Sequence, residues 1–194
     1  MRVEGLSFSY GNQAVFDGLN LTSTSRIVGL SGPPGCGKTT LLKILSGHLK
    51  PNYHVVLDVP WPSTLVLQED GLLPWLTVTQ NIELVGLNID TCSEHPLWSL
   101  VEPLLQKRPN QMSFGQRRTV ELYRAIVNKP PLLCLDEPFN FIDLTTRNLF
   151  MKFLMDQYPT VRVVMSTHHV DELVEMRADI LKFPRELPIK VMER

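Results

Sequence analysis

The chain has 194 residues, 43% hydrophobic and 20% charged, with a formal net charge of −1 at pH 7. That length suits one domain with a sizeable core, and the near-neutral balance gives no electrostatic case for nucleic acid as a partner. No apolar run reaches the length of a membrane span, the opening Met1-Arg2-Val3-Glu4 has no apolar leader segment, and of the scattered Cys36, Cys92 and Cys134, Cys36 in its glycine-rich stretch and Cys134 in its apolar run read as small packed residues of a reducing compartment.

In chain order, Val3 to Phe8 and Leu19 to Leu21 are strand-like runs around a turn at Tyr10-Gly11-Asn12. Arg26 to Ser31 reads as a buried strand and delivers Gly32-Pro33-Pro34-Gly35-Cys36-Gly37-Lys38-Thr39-Thr40, which fits G-x-x-x-x-G-K-[ST] at every position. Glycines in such a loop let backbone N–H groups approach a polyphosphate. Lys38 reaches the β- and γ-phosphates, and the Thr39 hydroxyl sits on Mg²⁺. Thr40 to Leu45 reads as the following helix, whose N-terminal dipole favours bound anions. Gly47 and Pro51 end it.

His54 to Val59 is expected to be a short strand, and Ser63 to Leu67 a second apolar strand that delivers Gln68-Glu69-Asp70. Residues 71–110 carry scattered Leu and Trp, with prolines at 74, 96, 103 and 109, and read as short helices of a second lobe. Ser113-Phe114-Gly115-Gln116 is S-x-x-Q at the head of a helix running to about Asn128, with Val120, Tyr123, Ile126 and Val127 along one face. Leu132 to Leu135 is a third buried strand ending in Asp136-Glu137-Pro138. Asn148 to Gln157 reads as helix, and Val161 to Ser166 as a fourth strand ending in Thr167-His168-His169.

Four strands separated by helices predict a parallel α/β sheet, whose ligands bind at the carboxyl edge of the strands. That edge collects the phosphate loop, Gln68, Asp136-Glu137 and His168. A strand-end carboxylate pair alone is more often a charged end meeting solvent; beside a phosphate loop it has the composition of a hydrolytic site. Asp136 is then the carboxylate that holds Mg²⁺. Glu137, on the other face by strand alternation, is left free to polarise the attacking water as general base.

With these residues assembled, the chain resembles the ATP-binding subunit of an ATP-binding-cassette (ABC) transporter from near its start to about Phe183. Phe8-Ser9-Tyr10-Gly11 is similar to the adenine-stacking loop, Gln68 to the Q-loop glutamine, and Met112-Ser113-Phe114-Gly115-Gln116 to the signature L-S-G-G-Q. Asp136-Glu137-Pro138 resembles the Walker-B strand end, Asn140-Phe141-Ile142-Asp143 the D-loop, and Thr167-His168 the switch histidine. The resemblance implies a P-loop NTPase fold with a parallel core sheet, a small antiparallel β part on the adenine side and a helical signature subdomain. It implies one domain over 1–194, with residues 1–70 and 129–194 as core and about 71–128 as the helical part.

It also implies ATP and Mg²⁺ as ligands. Tyr10, Val15, the loop from Gly32 to Thr40, Ser113, Gly115, Gln116 and Asp143 would contact nucleotide. Thr39, Gln68 and Asp136 would serve the metal, and Glu137, His168 and Gln68 the catalysis. Implied partners are a second ATP-binding subunit paired head to tail (the same chain or a close relative), transmembrane permease subunits, and in an importer a substrate-binding protein. The implied location is the cytoplasmic face of a membrane.

The chain departs from the family pattern at Phe114, which replaces the first signature glycine, at His169, at Asn140-Phe141-Ile142, and in the short stretch from Pro51 to Gln68. Leu72 to Ile82 resembles importer ATPases for nitrate, taurine and alkyl sulfonates, whereas Leu135 to Asp143 is similar to small haem-exporter ATPases, so transport direction stays open. Trp75, Leu73 and Leu76 line either a permease groove or the core of the helical lobe. Three other classes compete with the transporter motor. A small-molecule kinase has no use for residues 112–116 or Glu137. Chromosome and ribosome ATPases of this type carry coiled coils or a second cassette. A degenerate binding module would not keep Lys38, Asp136, Glu137 and His168.

Overall fold

The structure is a computed structural model and describes residues 1–52, 55–156 and 158–190. Its strands are β1 (Arg2–Tyr10), β2 (Gln13–Thr22), β3 (Ile27–Ser31), β4 (Val56–Asp58), β5 (Ser63–Val66), β6 (Leu132–Asp136), β7 (Arg162–Ser166) and β8 (Asp179–Lys182). The α-helices are α1 (Lys38–Leu45), α2 (Val78–Glu83), α3 (Ile89–Cys92), α4 (Phe114–Val127), α5 (Leu144–Asp156) and α6 (Val170–Glu175), with short 3-10 turns at 98–100, 102–104 and 109–111. The chain divides into two compact units. One comprises Met1–Leu65, Pro131–Glu137 and Thr160–Arg194, the other Val66–Pro130 and Pro138–Pro159.

The first unit carries the sheets. A five-stranded sheet has the order β5-β6-β7-β3-β8, and β7 pairs in parallel with both β6 and β3. β3, β6 and β7 are uninterrupted apolar runs buried almost throughout, the composition of strands covered on both faces. A three-stranded antiparallel sheet of order β2-β1-β4 stands beside it. Leu6, Phe16 and Leu19 from this sheet, Leu30 and Cys134 from the parallel strands, and Leu41, Ile44 and Leu45 of α1 form one buried cluster. β4 is shorter than the expected strand from His54, and His54 itself lies outside the described residues.

Register then places the chemistry. Leu30 and Asp136 both pair with Ser166, so the C-terminal ends of β3, β6 and β7 lie level. The fifth strand, β8, was not among the four expected. It has four residues, too few to show an alternation, and pairs with β3 through contacts about 150 positions away in the chain. Helix α5 begins at Leu144 rather than Asn148, because the Asp143 carboxylate accepts the Thr146 N–H at 3.0 Å and caps the first turn. Gln157, the expected last residue of this helix, lies outside the described residues.

The second unit is helical. Ser113 caps α4 with a reciprocal bond pair to Gln116, as S-x-x-Q predicts. Its apolar face buries Val120, Tyr123 and Ile126. Against Tyr123 packs His95, with ring centroids 5.3 Å apart, and Phe153 lies 4.8 Å from His95 on another side. His95 Nδ1 accepts the Leu97 N–H at 3.2 Å, which leaves the ring proton on Nε2.

Burial, with the Lys129 charge adding to it, lowers the His95 pKa from 6.5 to about 4. Between these values the unfolded chain binds a proton that the folded chain does not, so stability falls as pH drops through that window. Denaturant midpoints at about pH 7.5 and about pH 5 should therefore differ more in the natural chain than in His95→Phe. Equal shifts in the two proteins would remove His95 as the origin.

Candidate active site

In the first unit the loop between β3 and α1 is shaped by its packing. Gly37 caps α1 in the left-handed region at φ 98, and a Cβ there would stand 2.9 Å from Val15 Cγ1. Only glycine meets both conditions without strain. Lys38 is buried, and its Nζ donates to the carbonyls of Gly32 at 2.8 Å and Pro33 at 3.0 Å, tying the loop to itself. Cys36 is a buried free thiol whose pKa burial pushes up, and its Sγ lies 3.9 Å from that ammonium.

At the level edge of the parallel strands, Asp136 is buried and accepts two hydroxyl bonds. Thr39 Oγ1 donates to Oδ2 at 2.6 Å, and Ser166 Oγ donates to Oδ1. The Thr39 hydroxyl of the phosphate loop and the strand-end carboxylate are thus neighbours. Glu137 is buried next to them, but strand alternation is not what separates it from Asp136. β6 ends at Asp136, and Glu137 turns into the left-handed region at φ 47. That conformation costs a non-glycine residue about 1–3 kcal/mol and is found where a site demands it.

Surrounding bonds over-determine this turn. The Glu137 N–H donates to both the carbonyl and the hydroxyl of Ser166, each at 3.1 Å. Its carboxylate accepts the His168 N–H at 3.2 Å and lies 3.1 Å from His168 Nε2. His169 is exposed at the start of α6, and its N–H donates to Thr167 Oγ1 at 3.0 Å.

Beside the phosphate loop a cavity of about 230 Å³ is bounded by Tyr10, Val15, Lys38 and Thr39, and by two residues that the sequence did not single out, Gln13 and Leu187. Tyr10 ends β1 rather than standing in the turn; its ring lies edge-on to Phe8 at 4.9 Å, and its hydroxyl is 3.4 Å from Thr40 Oγ1.

The helical unit holds the remaining candidates. Gln68 shares a cavity of about 190 Å³ with Asp70, Arg117 and Arg118. Arg118 is buried and donates to the Leu67 carbonyl, to the Pro138 carbonyl at 3.0 Å and to Glu121 at 3.1 Å. Burial raises the pKa of Glu121, which also accepts the Gly71 N–H. These two residues, three apart on α4, anchor both sides of the Gln68 segment and went unread in the sequence.

At the head of α4 the Gln116 N–H is taken by Ser113 Oγ at 3.2 Å, and the Ser113 N–H by Gln116 Oε1 at 3.1 Å. The amides of Phe114 and Gly115, in the first turn, have no intrahelical acceptor by position. A Cβ on Gly115 would overlap the Phe141 carbonyl oxygen, whereas the Phe114 side chain is 67% exposed. The Phe114 ring lies 5.7 Å from that of Phe141 and 4.3 Å under the Arg117 guanidinium. Hydrogen bonds from Thr146 hold the exposed Asp143 carboxyl below its usual range.

Comparison with known proteins agrees with these motifs. The family profile described as ABC transporter matches residues 17–140. The aliphatic sulfonates import ATP-binding protein SsuB 2 of Frankia alni is 40% identical over 184 residues, covering 90% of this chain and 73% of the relative. The taurine import ATP-binding protein TauB of Escherichia coli O157:H7 is 30% identical over 214 aligned residues, covering all of this chain and 83% of the relative. Among solved structures, a dimeric post-hydrolysis state of the ATP-binding cassette MJ0796, bound to ADP and Pi, superposes with a TM-score of 0.80 at 23% identity, covering all of this chain and 96% of that one. The chain belongs to the ABC transporter family, as an ATP-binding cassette with ATPase activity.

Proposed function

We propose that the chain is the ATP-hydrolysing motor of an importer, acting as a head-to-tail dimer beneath separate membrane-spanning subunits at the cytoplasmic face. Import is favoured over export by the likeness to import ATP-binding proteins for sulfonates and taurine. Among the described residues no helix is long and apolar enough to cross a membrane. A substrate-binding protein completes the assembly, and the choice of substrate lies with those partners.

The observation that carries the reading is the 2.6 Å bond between Thr39 and Asp136, with the Glu137 carboxylate buried alongside and paired with His168 instead. Two adjacent carboxylates with different neighbours can take different roles. Thr39 Oγ1 and Asp136 Oδ2 are hard oxygen donors already placed together, the kind of set that holds Mg²⁺ through one carboxylate and the substrate phosphates. When bound, the metal neutralises charge on the β- and γ-phosphate oxygens.

Lys38 exchanges its loop carbonyls for phosphate oxygens. Glu137 accepts the proton of the attacking water, and His168, which pairs with Glu137, turns to the γ-phosphate. Tyr10 and Val15 bound the base. Ser113, Gly115 and Gln116 meet the γ-phosphate held by the partner subunit, with Asp143 at the same junction. The permease docks at Trp75, which is 65% exposed and so stands outside the helical core.

Lys38→Ala should abolish ATP binding by calorimetry; unchanged binding would refute the phosphate-loop assignment. Glu137→Gln should bind Mg²⁺-ATP and slow turnover by about 10²–10⁴-fold, while Asp136→Asn should instead flatten the Mg²⁺ dependence of binding. His168→Ala should stall hydrolysis and His169→Ala should be mild, and the reverse result would show the end of β7 to be misread.

Light scattering on Glu137→Gln should give monomer without ATP and dimer with it. A monomer in both conditions, with permease subunits present, would sink the head-to-tail reading. Trp75→Ser should keep ATP binding but lose co-purification with the permease, and retained co-purification would move the docking surface elsewhere.

A further inference from the structure

The segment after β8 runs back to the nucleotide cavity and is fixed at both ends. At its start, the Phe183 N–H donates to the Ser31 carbonyl at 2.7 Å, and Phe183 Cβ lies 2.7 Å from where a Cβ on Gly32 would stand. Phe183 is therefore seated on the first residue of the phosphate loop. At its far end, Ile189 pairs in parallel with Phe16 on the free edge of β2. The Ile189 N–H donates to the Val15 carbonyl at 2.9 Å, and the Asp17 N–H to the Ile189 carbonyl at 3.2 Å. Ile189 is fully buried. Lys190 adds an ion pair to Asp17 at 2.9 Å, which is exposed and contributes little.

Between these anchors stands Leu187, half-buried against the apolar cluster of the first unit and on the wall of the cavity that Tyr10, Val15 and the phosphate loop also bound. A nucleobase is a flat group with two apolar faces. One aromatic ring at a strand end covers one face and leaves the other to water. An aliphatic side chain on the same cavity supplies the second cover.

We infer that Leu187, carried by the doubly anchored segment from Phe183 to Ile189, is a base-binding residue that closes the nucleobase pocket together with Tyr10. The inference rests on the nucleotide-site reading above. Because Leu187 acts on the base, its effect depends on the base being present. Lys38 acts on the phosphates, so its effect does not.

That difference supplies the test. Affinities of Mg²⁺-ATP and of Mg²⁺-tripolyphosphate, which has the phosphates and no base, are measured by calorimetry for the natural chain, Leu187→Ala, Tyr10→Ala and Lys38→Ala. Leu187→Ala is expected to weaken ATP binding about tenfold and to leave tripolyphosphate unchanged, with Tyr10→Ala behaving alike. Lys38→Ala is expected to lose both ligands. Unchanged ATP affinity in Leu187→Ala overturns the inference, and so does an equal loss of ATP and tripolyphosphate, which would mark the leucine as a support of the loop. If ATP binding survives Lys38→Ala, the site reading itself has failed. A base-selective loss in Leu187→Met as large as in Leu187→Ala would also count against it, since methionine fills a similar volume.

Discussion

The hydroxyl of Ser166 fixes the chemical end of the parallel sheet. It donates to Asp136 Oδ1 and accepts the Glu137 N–H, so one side chain on β7 sets the direction of both acidic residues, Asp136 closing β6 and Glu137 following it. The Asp136 carboxylate then meets Thr39, which ties the phosphate loop to the same edge. A buried carboxylate without such partners is costly, and a fully bonded network inside a protein is stiff. The parallel register that pairs Asp136 with Ser166 is thus as much a condition of the site as the acidic residues themselves.

Much of this was legible in the sequence because it is local. The phosphate loop, the strand feeding it and the helix leaving it occupy one continuous stretch, and the capping box of α4 is a four-residue signal. Asp136 announces itself at the end of an apolar run. What stayed hidden depends on contacts between distant positions. β8 has four residues and exists as a strand by pairing with β3. Leu187 sits in a short polar stretch with nothing periodic about it, and only the fold brings it to the cavity. Glu137 was assigned its own direction by strand alternation, yet the backbone achieves it by a left-handed turn that no residue pattern marks. The early start of α5 is a different case, since Asp143 followed by Thr146 is a readable cap.

Departures from the family signature separate by direction of side chain. Phe114 points outward and is accommodated beside Phe141 and Arg117, so the loss of a glycine there leaves the local backbone intact. Gly115 has no such latitude, because the Phe141 carbonyl occupies the space a side chain would need. The two adjacent signature positions therefore face opposite constraints, one set by solvent and the other by backbone.

The helical unit is made from two separate lengths of chain, which begin at Val66 and Pro138. Arg118 donates to the carbonyl of Leu67 in the first and of Pro138 in the second. One planar guanidinium thus staples both places where the chain passes into the unit, and its fork reaches two acceptors in a way a lysine ammonium does not. The two crossings are consequently held to one another through a single side chain. Whatever displaces the stretch leading to Gln68 must carry the stretch leading to Asp143 with it.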